Sequence, residues 1–211
     1  MDGVSRGFRA LFPKGHVTTI LDSLYKAGET LQKKSPTEIE NRLTRRLCIR
    51  MNQLPIFRDG PLSIHSQQEL LSSDPDIDQP RGYIDILIAC DRGSEVYFAI
   101  EAKRLRVRSI KGKMKSGSND YVNNGMMRFV TGQYAPSMKT GAMLGYVFDG
   151  DIGKARTGIA GYIHKRSTAL KLAPPKRLAR SSILPGKTID ETQHDLKSRT
   201  FTIYHLLLSV I

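Results

Sequence analysis

Cysteine is scarce in this chain of 211 residues, with only Cys48 and Cys90, and these two stand at no metal-binding or redox spacing. A disulfide framework and a cysteine-based zinc site are thereby excluded, and the pair reads as buried thiols in a reducing cytoplasm. No apolar run is long enough to span a bilayer, the terminal stretch 204–211 being far too short, and residues 4–16 are interrupted by arginines, glycine and proline. Neither a membrane span nor a signal peptide is expected, and a cytoplasmic protein is. Low-complexity tracts are missing too. At 39% hydrophobic, the chain fits one globular domain over 1–211, read as a helical extension (1–33), a core (34–150) and a basic extension (151–211). There is no phosphate-binding glycine loop and no dinucleotide fingerprint, so any ATP-dependent activity would need a partner protein.

Acids are also in short supply: 20 Asp and Glu face 33 Lys and Arg, for a formal net charge of +13. Such an excess favours a polyanionic partner, and nucleic acid is the natural one. The bases cluster. Lys103, Arg104, Arg106, Arg108, Lys111, Lys113 and Lys115 follow one another without an acid, in a stretch whose Gly112 and Gly117-Ser118 mark a flexible loop suited to phosphate. A second cluster includes Lys165, Arg166, Lys171, Lys176, Arg177 and Arg180. Arg128, between a methionine and a phenylalanine, is a further phosphate candidate, or else snorkels from a packed helix.

What the chain does have is an arrangement of two acids and a lysine. In Gly82-Tyr83-Ile84-Asp85-Ile86-Leu87-Ile88 the two-residue period of a strand sets the isoleucines on one face and Asp85 on the other. In Val96-Tyr97-Phe98-Ala99-Ile100-Glu101-Ala102-Lys103 it sets Phe98, Ile100 and Ala102 together and points Glu101 and Lys103 the opposite way. The intervening Asp91-Arg92-Gly93-Ser94 carries hairpin-turn chemistry. A two-residue loop would place Asp85 opposite Ile100. A three-residue loop, which keeps the isoleucines on one side, places Asp85 opposite Glu101 and Tyr83 opposite Lys103, and this register is predicted.

Carboxylates are the hard ligands that Mg²⁺ or Mn²⁺ prefers, and one or two suffice when water and substrate phosphate complete the shell. Asp85 and Glu101 suit that role, the Ala102 carbonyl could join them, and the Lys103 ammonium could orient water or offset charge on phosphate. The same pattern also fits a solvated strand face with a weak ion pair.

Asp85 followed by Glu101-Ala102-Lys103 at the end of an apolar strand resembles the PD-(D/E)XK, or restriction-endonuclease-like, nuclease superfamily. The Pro-Asp half of that motif is relaxed here to Ile84-Asp85. The resemblance implies an α/β fold with an αβββαβ core and a mixed central sheet flanked by helices. It further implies Mg²⁺-dependent hydrolysis of DNA, with RNA as the other candidate substrate, a setting in restriction or defence against foreign DNA, and often another acid on the first core helix. A defence-complex partner is a candidate, and cutting both strands would take a homodimer or two successive nicks. Ser35-Pro36-Thr37-Glu38 reads as a capping box opening that helix. Glu40, at the edge of its apolar stripe, is preferred for the metal site, with Glu38 as the alternative. A catalytically inactive or partner-activated nucleic-acid-binding subunit would account for the charge equally well. A subunit meeting an acidic protein is a third reading.

Elsewhere the spacing predicts a helix over 17–32, a short strand over 63–65, a helix from Asn119 through Tyr134 and a buried strand over 141–148. It also predicts a loop and cap at Asp149-Gly150-Asp151 before a helix through His164, and a strand over 200–204 at the sheet edge. His194 and His205 near that strand read as structural.

Overall fold

Most of the apolar runs that the sequence offers as strands do pair. The computed structural model describes residues 12–71, 74, 76–90, 96–197 and 199–211. Its helices α1 (Lys14–Gly28), α2 (Glu40–Asn52) and α3 (Pro55–Arg58) precede strands β1 (Leu62–Leu70), β2 (Gly82–Cys90) and β3 (Tyr97–Leu105). A small hairpin follows, β4 (Val107–Arg108) with β5 (Met114–Lys115). Then come α4 (Ser118–Asp120), a π-helical stretch (Tyr121–Met126) and α5 (Met127–Val130), leading to β6 (Thr140–Val147), α6 (Ile152–Lys165), β7 (Ala179–Arg180), β8 (Asp190–Asp195) and β9 (Thr200–Ser209).

Seven strands form one mixed sheet in the order β1-β2-β3-β6-β9-β8-β7. Pairing is antiparallel from β1 to β3, parallel from β3 through β6 to β9, and antiparallel again to β8 and β7. The fold is therefore α/β, with helices on both faces. Leu21, Leu24, Leu43 and Leu47 of α1 and α2 meet Ile86, Phe98, Leu144 and Leu206 on one face. Val122, Phe129 and Ile159 meet Ala99, Met143 and Ile203 on the other. Among the described residues no helix is long and apolar enough to cross a membrane.

Three expectations are corrected. First, β9 is longer than 200–204 and lies inside the sheet, between β6 and β8, so residues 151–211 complete the sheet rather than extend it. Its run Leu206-Leu207-Leu208 is buried throughout, as a strand covered on both faces requires. Second, α2 starts at Glu40, because Ile39 is extended (φ −76°, ψ 148°) and Ser35 to Glu38 form a turn in which the Glu38 N–H donates to the Ser35 carbonyl at 3.2 Å. Third, the helix expected through Tyr134 ends at Val130 and is π-helical in its middle, a form often found at functional positions. Asp151 does cap α6, its carboxylate accepting the Lys154 N–H at 2.9 Å. Cys48 is buried, and burial pushes its thiol up to about 12, whereas Cys90 is only half-buried.

The two histidines sit in a hydrogen-bonded chain through the sheet. Tyr121 Oη lies 2.9 Å from His205 Nδ1, His205 Nε2 lies 3.0 Å from Thr192 Oγ1, Thr192 Oγ1 lies 2.8 Å from His194 Nε2, and His194 Nδ1 lies 2.7 Å from the Leu170 carbonyl. One direction of donation satisfies every member: Tyr121 to His205, His205 to Thr192, Thr192 to His194 and His194 to Leu170. Both imidazoles must then be neutral. Burial lowers His194 to about 4 and His205 to about 3, in the same sense. The chain ties the first residue of the π-helical stretch to β8 and β9.

Candidate functional site

The ladder between β2 and β3 runs from Ala89↔Tyr97 to Ile86↔Ile100 and stops there. Continued by one residue, this register sets Asp85 against Glu101, as expected; the turn at 91–95 that was expected to determine it lies outside the described residues. Beyond Ile86 the strands part, and β2 stays paired with β1 as far as Leu70↔Gly82. Asp85 fills the opening, its Oδ2 accepting the Ala102 N–H at 2.8 Å in place of a strand carbonyl. Alternation breaks at the same point. Ile84, Asp85 and Ile86 are all buried, and Ile84 packs on the face opposite Ile86 and Ile88, contrary to the expectation that the isoleucines share one side.

Gln67 explains how Asp85 is held. It lies on β1 between the pairs Ser66↔Ile86 and Gln68↔Ile84 with a left-handed backbone (φ 53°), and its Nε2 donates to Asp85 Oδ1 at 2.8 Å. Asn41 Nδ2 in turn donates to Gln67 Oε1 at 3.2 Å. A kinked edge strand that re-aims a side chain is a recurrent device beside functional sites. The sequence carried no signal for it beyond a glutamine within a polar strand.

Glu101 is completely buried on β3. Its Oε1 accepts from Lys103 Nζ at 2.5 Å and from Arg128 Nη1 at 2.9 Å, while its Oε2 has no hydrogen-bond partner, alone among the buried carboxylate oxygens of the described residues. Burial, reinforced by Asp85, pushes the Glu101 carboxyl up to about 8. Lys103 Nζ also donates to the Ala102 carbonyl at 3.0 Å and lies 3.6 Å from Glu40 Oε1. Burial by itself would lower the lysine pKa, but Glu101, Glu40 and Asp85 together raise it, so the ammonium stays charged.

The structure brings Glu40 to this cluster and keeps Glu38 away. Glu40 Oε2 accepts the Arg104 N–H at 3.1 Å, and burial, with Asp85 and Asp120 adding to it, raises its pKa against the pull of Lys103. Glu38 closes its own turn, accepting the Lys34 N–H at 2.5 Å and Arg46 Nη2 at 3.0 Å. Among the described residues no three His, Cys, Asp or Glu side chains form a ready metal cage.

Arg128, expected from the sequence as a phosphate ligand or a snorkelling helix residue, is paired with Glu101. It reaches back from α5 to Glu101, donates to the Tyr134 hydroxyl and stacks over that ring at 5.3 Å; Tyr134 donates onward to the Tyr83 carbonyl beside the strand opening. Gly125 in the π-helical stretch packs closely on the sheet: a Cβ there would meet Met143 Cε of β6 at 2.4 Å and lie 3.7 Å from Glu101 Cγ of β3.

The basic stretch after Lys103 folds as the β4–β5 hairpin, closed by the Ser109 N–H to the Lys113 carbonyl at 2.8 Å, rather than as a loop awaiting order. Gly117 (φ 74°) brings the chain back, passing so close that a Cβ would meet the Arg104 carbonyl oxygen at 2.2 Å. Arg108, Lys111, Lys113 and Lys115 are exposed along it. Two expected phosphate ligands are occupied: Arg106 Nε donates to both oxygens of Asp149 at 2.9 and 2.8 Å, and Arg104 Nη1 donates to the Glu38 carbonyl at 3.0 Å. Lys165 and Arg166 are exposed at the end of α6 that runs away from the Gly158–Ser118 contact, and the structure does not bring them to the acids. A cationic patch that the sequence reading passed over groups Lys34, Arg42, Arg45 and Arg46 around Glu38; its signal was the one-turn spacing of Arg42, Arg45 and Arg46 on α2.

No family model, curated protein or solved structure matches the chain. Fold and site together define a mixed-sheet α/β protein in which buried Asp85, Glu101 and Lys103, with half-buried Glu40 and Arg128, cluster where two strands part.

Proposed function

We propose that this protein is a metal-dependent nuclease that hydrolyses DNA phosphodiester bonds, with a restriction-endonuclease-like core. The order α2, β1, β2, β3, helix 118–130, β6 supports that reading of the fold. The observation that carries the function is the buried Glu101 carboxylate, with one oxygen shared by two cations and the other without a partner, beside Asp85. Burying such a group costs several kcal/mol unless charge offsets it, on the order of the penalty for an ion taken out of water. Lys103 and Arg128 offset part of it at Oε1, and a divalent cation at the unpartnered Oε2 would offset more.

The donor set suits Mg²⁺ or Mn²⁺: two carboxylates and a backbone carbonyl are hard oxygen ligands, with positions left for water and phosphate. Asp85, Glu101 and the Ala102 carbonyl would hold the ion, and Glu40 would hold a water in its outer shell. Bound there, the ion would polarise the scissile phosphate and favour attack by water. The chain's own groups do the rest. Lys103, kept protonated, faces the phosphate as a fixed cation that offsets charge as it builds, and Arg128 orients Glu101 from the helix side.

Purified protein incubated with supercoiled plasmid and Mg²⁺, Mn²⁺ or EDTA tests the reading. Nicking in either metal and none in EDTA is expected. Binding without cleavage in every metal would favour the non-cutting nucleic-acid-binding subunit. Gln67→Ala is expected to lower the nicking rate about 10–100-fold, the usual effect of losing a partner that orients a metal ligand. Raising the metal concentration should recover much of it, and an unchanged rate would remove Gln67 from the site.

A further inference from the structure

Resting on the phosphodiester reading above, we propose that the β4–β5 hairpin enters the minor groove of duplex DNA and that Ile110 at its tip wedges into a base step. Ile110 is 95% exposed, the most exposed large apolar side chain among the described residues, and it reaches no part of either core. It stands among the exposed cations Arg108, Lys111, Lys113 and Lys115. A single apolar side chain offers too little area to anchor the hairpin in a lipid surface or to build an apolar protein interface. It matches DNA, whose phosphates attract the flanks while the stacked bases beneath accept an apolar wedge.

The hairpin's place supports the same occupant. It springs from Arg106, immediately after the strand that carries Glu101 and Lys103, and with α2 it borders an open cavity of about 590 Å³ lined by Glu40, Arg104, Arg108, Ile110 and Asp120. A hairpin seated in the groove would bring the adjacent backbone over that cavity. Kinking the duplex there would open the phosphate to the acids. The tight Ser109–Gly112 turn, with the Gly112 N–H donating to the Ser109 carbonyl at 2.8 Å, presents Ile110 on a preformed support.

The test uses the full chain in EDTA, so that binding is read without cutting, with short mixed-sequence duplexes carrying 2-aminopurine as a reporter of unstacking. Binding is expected to raise the fluorescence. Ile110→Ser is expected to abolish that rise while changing affinity by less than about tenfold, because the lost contact and the avoided unstacking offset each other. Lys111→Ala with Lys113→Ala is expected to weaken binding and to reduce the slope of log affinity against log salt by about 2. Ile110 touches no core, so circular dichroism should show the Ile110→Ser fold unchanged. A fluorescence rise that survives Ile110→Ser, a preference for single strands over duplex, or no duplex binding at all would overturn the inference. Plasmid nicking in Mg²⁺ separates the two proposals: unstacking without nicking sinks the nuclease and leaves the wedge, whereas nicking without unstacking does the reverse.

Discussion

Lys103→Ala is expected to lower metal-dependent nicking of supercoiled plasmid by about a thousandfold, the scale of losing one preorganised charge donor at a reacting group. Its ammonium is fixed by Glu101 Oε1 at 2.5 Å and the Ala102 carbonyl at 3.0 Å, so it arrives at the phosphate without reorganising. The fold should survive the change. Arg128 still pairs with Glu101, and a carboxyl pushed up to about 8 can take a proton in place of the lost cation. Duplex affinity in EDTA should stay within about threefold, because Lys103 is buried and exposed bases supply the electrostatic footprint. Nicking that falls less than tenfold would remove Lys103 from the chemistry. A fall in binding equal to the fall in nicking would make it a docking residue.

Thr192→Val is expected to destabilise the fold by about 2–6 kcal/mol, read as a shift in the urea unfolding midpoint at neutral pH. Valine matches the shape of threonine but removes the hydroxyl that accepts from His205 Nε2 and donates to His194 Nε2. Two buried ring nitrogens then lose their partners at once, each costing about 1–3 kcal/mol. A midpoint within experimental error of wild type would mean that the chain of bonds contributes no stability. The same chain has a pH signature. His194 titrates near 6.5 unfolded and near 4 folded, so the unfolded state binds the proton first; its stabilising contribution is complete above 6.5 and is lost as pH falls toward 4. Taking the difference between wild type and His194→Gln cancels the carboxylates common to both. That difference should shrink by about 2 kcal/mol between neutral pH and pH 5.

Asp85, Glu101 and Lys103 were legible because strand periodicity is a local rule, and the register followed from keeping Ile86 and Ile100 buried together. Glu40 was legible from its place at the edge of the α2 stripe, although the helix begins there and not at the proposed capping box. The same reasoning misplaced Ile84, since alternation assumes a continuous ladder and β2 leaves β3 after Ile86. Strand β9 was misjudged as an edge although Leu206-Leu207-Leu208 already had the unbroken apolar run of a covered strand.

The sequence by itself determined which residues alternate on each strand, the cationic excess, and the kind of chemistry two acids and a lysine can support, because all of these depend on residue type and near neighbours. Only the tertiary structure decided where β2 and β3 part, that Gln67 and Arg128 hold the two acids, that Arg106 is tied to Asp149, and that the basic stretch is a hairpin with Ile110 at its tip. Each of the three pairings joins residues at least 18 positions apart in the chain. Such contacts come from packing elements against one another, which leaves no periodic trace in the segments themselves.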